Sequence, residues 1–221
     1  MGAALPDRLR IRLIGGHSLM EILFWVAVVL VFSTALLLLL TNNWRNTLAY
    51  LGALYLGVFA LTLTHWTLSM AAVKLVTGWM AATILGITRA ALDPKLATAP
   101  QESLPEGNLF RIFAATMLAL VVTSATPTVM QLLPGIGAPE VAGSLLLMMM
   151  GLLHLGLTTE PQRVIIGLLT VLAGFEILYA SVETSTLVAA LLSIINLGLA
   201  LVGAYLLTAA PQEEDEELAL L

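Results

Sequence analysis

Nineteen consecutive residues, Ile22–Leu40 (ILFWVAVVLVFSTALLLLL), carry no charge. About 20 apolar residues cross the hydrocarbon core of a bilayer as a helix, the form in which a segment satisfies its own backbone hydrogen bonds in lipid. Comparable stretches recur along the chain as far as Leu207. Hydrophobic residues make up 59% of the protein and charged residues only 10%, against about 25% charged in ordinary soluble domains. The expectation is an all-α polytopic membrane protein. A transmembrane β-barrel needs alternating polarity, and the runs here do not alternate.

The pattern predicts seven helices, over about 19–41, 46–65, 68–90, 109–133, 139–158, 162–182 and 185–208. Breaks fall at Asn42-Asn43, at the tight Thr64-His65-Trp66-Thr67 turn, at Pro134-Gly135 with Pro139, and at Pro161. Pro161 suits the first turn of a helix, where a missing N–H goes unmissed. Pro127 falls inside the fourth span, where a kink is expected. Residues 93–108 (DPKLATAPQESLPEGN) hold three prolines and form the one long polar loop. The chain divides into a three-helix part (1–92), the loop (93–108), a four-helix part (109–210) and an acidic tail (211–221). The tail (Glu213, Glu214, Asp215, Glu216, Glu217) accounts for the net charge of −5 and reads as a solvated, disordered end. Arg8, Arg10 and Arg12 precede a run too long for a signal peptide, so that run reads as a retained first span.

Loop cations set orientation. With the N-terminus outside, Arg45, Arg89, Lys95, Arg111 and Arg163 fall on the cytoplasmic side and three N-terminal arginines oppose them. The expected topology is therefore N-out and C-in. With no cysteine, the chain offers no disulfide and no thiolate metal or cluster site. No basic patch points to nucleic acid, and no phosphate loop, metalloprotease motif or nucleophile elbow is present. The last span lacks the lysine of a retinal protein. No metal or cofactor is expected.

Glu176 is the single charge in Val164–Ala180 (VIIGLLTVLAGFEILYA), and a carboxylate at such depth costs at least about 2.5 kcal/mol. It reads either as a carboxyl bonded to a neighbouring helix or as a proton-relay group. Lys74, about six residues into the third span, can snorkel to the interface or turn inward to a carboxylate such as Glu176. His154 reads as a satisfied interhelical bond or as a lesser relay candidate. Glu183 follows Glu176 by seven residues, on the same face if the helix continues. Glu21 and His65 lie near span ends and read as interfacial. Asn196 can hydrogen-bond across helices, and Gly174, Gly198, Gly167 and Gly203 can admit close backbone approach. Met148-Met149-Met150 reads as adaptable packing.

The segment 151–183 (GLLHLGLTTEPQRVIIGLLTVLAGFEILYASVE), with Gly174-Phe175-Glu176-Ile177, Ala180 and a basic turn at Arg163, resembles the small three-helix membrane subunit of respiratory complex I. Over its whole length the chain looks closer to the E-type membrane subunit of group 4 (hydrogenase-4 type) hydrogenase complexes, which has extra N-terminal helices and a lysine comparable to Lys74. The resemblance implies a subunit that is not itself the catalyst and packs against other membrane subunits, with Glu176 on a proton axis. The seventh span departs from the small subunit's pattern, placing Asn196 and apolar residues where a second buried acid is expected. Rival readings are a purely structural lateral subunit and a standalone transporter. The transporter reading predicts an inverted repeat, and none is visible.

Overall fold

The computed structural model describes the backbone of residues 7–92 and 105–219, with side chains described over 20–92 and 107–209. Seven helices follow in order: α1 (Asp7–Leu40), α2 (Trp44–Thr62), α3 (Leu68–Ala91), α4 (Pro105–Leu132), α5 (Ala138–Gly156), α6 (Pro161–Val182) and α7 (Thr186–Ala219). No strand occurs among the described residues. The protein is an all-α, polytopic membrane protein. Lys95 and most of the polar loop lie outside the described residues, as do the side chains of the N-terminal arginines and the acidic tail.

The breaks have local causes. Asn43 caps α2 by accepting the Arg45 N–H at 3.0 Å. The α2–α3 turn closes through Leu63 N–H to Phe59 O and Trp66 N–H to Thr62 O. Gly135 takes φ 102° between α4 and α5, a left-handed conformation that favours glycine. Pro139 and Pro161 stand in the first turns of α5 and α6.

Three boundaries differ from the sequence expectation. Residues 105–108, assigned to the loop, open α4, with Pro105 at its start, a position where proline's fixed φ suits the helix. α1 begins at Asp7, well before its apolar run, and α7 runs through the acidic segment to Ala219 instead of ending near 208. Both extensions are rich in Arg, Leu, Glu or Ala, which are strong helix formers. A helix made of such residues need not stop where its apolar run does.

Six of the helices are long and apolar enough to cross a membrane; α2 is outside that set. Its first turn, Trp44-Arg45-Asn46-Thr47, is polar. Nineteen residues still measure about 28 Å along a helix axis, and protein surrounds α2. It packs on α1 and α3, and also touches α5 and α6. Leu51, Leu54, Tyr55, Val58 and Leu61 are fully buried. A helix shielded by its neighbours meets less lipid and tolerates lower apolarity.

α5 and α6 form the tightest hairpin. A Cβ on Gly174 would lie 2.8 Å from Ser144 O and Met148 N, and one on Gly151 2.9 Å from Gly167 O. These glycines let the backbones touch, which is how helices associate in lipid. Ser144 Oγ donates to Gly174 O at 2.8 Å across the same seam. Gly203 on α7 packs as tightly, 2.9 Å from Ile165 and Leu85 side chains. Gly198 corrects the expectation of close packing: nothing approaches the position of its Cβ within 4 Å. It lies on a face of α7 that no other helix covers tightly.

α3 lies against α7, and α1 against α2 and α5. Only 17% of the central stretch of α4 is buried, against 61% for α5, so α4 is peripheral. Large apolar side chains such as Phe110, Phe113, Ile194 and Leu201 are left on the outside, as lipid contact requires. The ends of α1, α3 and α5 gather with the starts of α2, α4 and α6 at one end of the bundle. The α2–α3 and α6–α7 turns meet at the other.

Candidate functional site

Lys74 and Glu176 meet in the interior. Lys74 stands about two turns into α3, and Glu176 about four turns into α6, which runs the opposite way. The two side chains arrive at the same depth from opposite ends. Their exposures are 1% and 0%, and Lys74 Nζ donates to Glu176 Oε1 in an ion pair. Of the two positions open to Lys74, snorkelling or pairing, the structure has the inward one. Stripping either ion of water costs several kcal/mol, and only close pairing with further hydrogen bonds offsets this.

Two further helices supply those bonds. Asn196 of α7, fully buried, donates from Nδ2 to Glu176 Oε1 at 3.2 Å. Its Oδ1 accepts from Tyr55 OH of α2 at 3.2 Å. Tyr55 reaches it because its ring lies over Gly78 of α3, where a Cβ would sit 2.3 Å from the ring. The amide therefore faces a carboxylate with its donor and a hydroxyl with its acceptor. Asn196 stands in the span where the resemblance leads one to look for a second acid, and here it binds the first. Glu176 Oε2 is buried and has no hydrogen-bond partner among the described residues. An open acceptor at that depth is the place for a proton or a water.

The other candidates are not part of this cluster. His154 is buried near the end of α5, and its Nε2 has no hydrogen-bond partner among the described residues, so no interhelical bond is made there through that atom. Glu183 is the first residue after α6, with extended backbone, and is exposed. The helix does not continue, so the same-face relation to Glu176 fails. Its carboxylate instead accepts the Ser185 N–H at 3.1 Å.

Sequence reading passed over Tyr55 and Glu140. Tyr55 gave no signal beyond being polar at one atom within an apolar span. Glu140 is buried in the first turn of α5, its carboxyl against Gly137, and Oε2 has no hydrogen-bond partner among the described residues. An acid is favoured at a helix N-terminus by the macrodipole. Pro139-Glu140 just before an apolar run was the available clue.

A second polar region occupies the opposite end. Arg163 of α6 donates from Nη2 to Thr41 O at 2.5 Å and to Asn42 Oδ1 at 2.8 Å, and pairs with Glu160 at 3.3 Å. Arg111 of α4 donates to Leu39 O at 3.1 Å. Arg89 of α3 lies 3.9 Å from Glu160. Arg111 and Arg163 thus satisfy carbonyls at the C-terminal end of α1, which lack partners within the helix.

Fold and site together define a polytopic helical membrane protein with a hydrogen-bonded ion pair sealed inside its bundle. Compared with protein-family models, curated proteins and solved structures, the chain has no match.

Proposed function

We propose that this chain is a membrane subunit of a multi-subunit, redox-driven proton- or sodium-translocating complex of the complex I or membrane-bound hydrogenase type. The observation that carries the reading is the Lys74–Glu176 pair. Intramembrane ionisable pairs facing the bundle interior mark ion and proton paths. A proton can pass between the amine and the carboxyl without leaving a net charge in lipid. Asn196 and Tyr55 orient the carboxyl, and the open Oε2 is the remaining site for exchange. Support also comes from the likeness of 151–183, and of Gly174-Phe175-Glu176-Ile177 within it, to the small complex I subunit. On this reading the chain holds no redox centre. It packs against antiporter-like and quinone-module-like subunits in the plasma (inner) membrane, with its N-terminus outside and its C-terminus cytoplasmic. Arg45, Arg89, Arg111 and Arg163, all at one end of the bundle, then face the cytoplasm.

The test is proton translocation by the intact complex carrying Glu176→Gln. The expected result is pumping lost with the subunit still assembled. Normal pumping with normal assembly removes the relay. Mass spectrometry of proteins co-purified in mild detergent tests membership, and a stable chain that purifies alone contradicts it. One observation favours a structural role instead: the pair is fully enclosed and ties α3, α6 and α7 together. In that case Glu176→Gln weakens assembly and leaves pumping per assembled complex unchanged.

A further inference from the structure

A second, smaller apolar cluster is separate from the main core. It joins Trp66, Ala180 and Ala189, with the partly buried Met70 packed on them. Its members stand in register with the polar site. Met70 precedes Lys74 by four residues on α3, and Ala180 follows Glu176 by four on α6. Ala189 precedes Asn196 by seven on α7. Four residues are about one helical turn, or about 6 Å, and seven are about two turns. Each of these displacements points to the same end of the bundle, where the α2–α3 and α6–α7 turns lie. The cluster is therefore stacked directly outward of the ion pair, on the same three helices that hold it.

Trp66 closes this stack. It belongs to the α2–α3 turn and not to a helix, yet it is 4% exposed. Its indole N–H donates to Glu183 O at 3.2 Å, in the α6–α7 turn. One hydrogen bond between two short turns holds a large ring over the end of the path. Just beyond it stand groups suited to water. Glu183 is exposed, and His65, next to Trp66 in the chain, has a buried Nε2 with no hydrogen-bond partner among the described residues. Just beneath it lies Glu176 with its open Oε2. Lys74 is only six residues from the start of α3, about 9 Å along the axis.

We propose that Trp66 is a removable hydrophobic plug. It separates the Lys74–Glu176 site from the aqueous phase at the end of the bundle formed by the α2–α3 and α6–α7 turns. The purpose assigned to the path rests on the relay reading above, whereas the plug itself does not. When the ring swings out, water reaches Glu176 past Met70 and Ala180. Besides Trp66 the cluster holds two small side chains, Ala180 and Ala189, and the flexible, partly buried Met70.

The absence of cysteine gives a clean probe. Ser193 is buried on α7, its Oγ donates to Ala189 O at 2.8 Å, and it lies between Ala189 and Asn196. Ser193→Cys is nearly isosteric there. The labelling rate of this single thiol by a membrane-impermeant cationic methanethiosulfonate is read in vesicles, with Trp66, Trp66→Phe, Trp66→Leu and Trp66→Ala backgrounds. The expected result is slow labelling with Trp66 and Trp66→Phe, at least about tenfold faster labelling with Trp66→Ala, and an intermediate rate with Trp66→Leu. Equal rates in the Trp, Leu and Ala backgrounds overturn the proposal. If Trp66→Ala does not fold, the Trp66→Leu increase alone decides. Fast labelling together with normal pumping by Glu176→Gln keeps the plug and removes the relay. Equal labelling with pumping lost in Glu176→Gln keeps the relay and removes the plug.

Discussion

Glu176 and Arg163 stand thirteen residues apart on the same helix, and different things hold them. Glu176, in mid-bundle, is neutralised by a side chain of opposite charge from another helix and bonded by an amide from a third. Arg163, at the end, is held largely by the backbone oxygen of Thr41, the side chain of Asn42 and its neighbour Glu160. Depth decides the difference. In mid-membrane the backbone N–H groups are spent within helices, so only another side chain can donate to a carboxylate. At a helix end the last carbonyls are free and carry the negative pole of the macrodipole. Arg163 sits at the start of α6, the wrong end of that helix for a cation. The C-terminus of α1 supplies the opposite pole.

The contrast predicts graded losses. Lys74→Ala leaves the Glu176 carboxylate buried without its partner, and breaking a buried pair in this way costs about 3–5 kcal/mol. It is read as loss of the folded fraction in detergent or of membrane yield. A wild-type-like Lys74→Ala removes the distinction between the two regions. Arg163→Ala removes charge-assisted bonds to Thr41 O and Asn42 Oδ1, worth about 1.5–3 kcal/mol each at most, and a partly exposed pair with Glu160 worth about 1 kcal/mol or less. Water at the membrane surface can replace them, so the expected loss falls below that of Lys74→Ala in the same assay. Tyr55→Phe removes one neutral bond and leaves the buried Asn196 Oδ1 unpaired, which should cost about 1–3 kcal/mol. A larger loss shows that the network is cooperative beyond its pairs.

The two regions were unequally legible in the sequence. Glu176 stood out because one charge in an apolar run is costly, and the runs themselves gave seven helices. That Lys74 turned inward was not decidable, because six residues from a helix start leaves both water and protein within reach of a lysine. Asn196 was read as helix glue without its acceptor, since spacing along one helix says nothing about which other helix it faces. Gly198 and Gly203 look alike in sequence, yet only Gly203 is tightly packed. The arginine end was read as topology alone. Two of its bonds go to the backbone carbonyls of Leu39 and Thr41, and those leave no side-chain signature.

The central claim is that Lys74 and Glu176 act as one unit within the membrane. A double-mutant cycle tests it most directly, comparing the stability of Lys74→Met, Glu176→Gln and the double variant in one detergent. The account predicts that the double variant is more stable than the sum of the two single losses implies, by at least about 2 kcal/mol, within the range of coupling for contacting residues. Losses that simply add would contradict it.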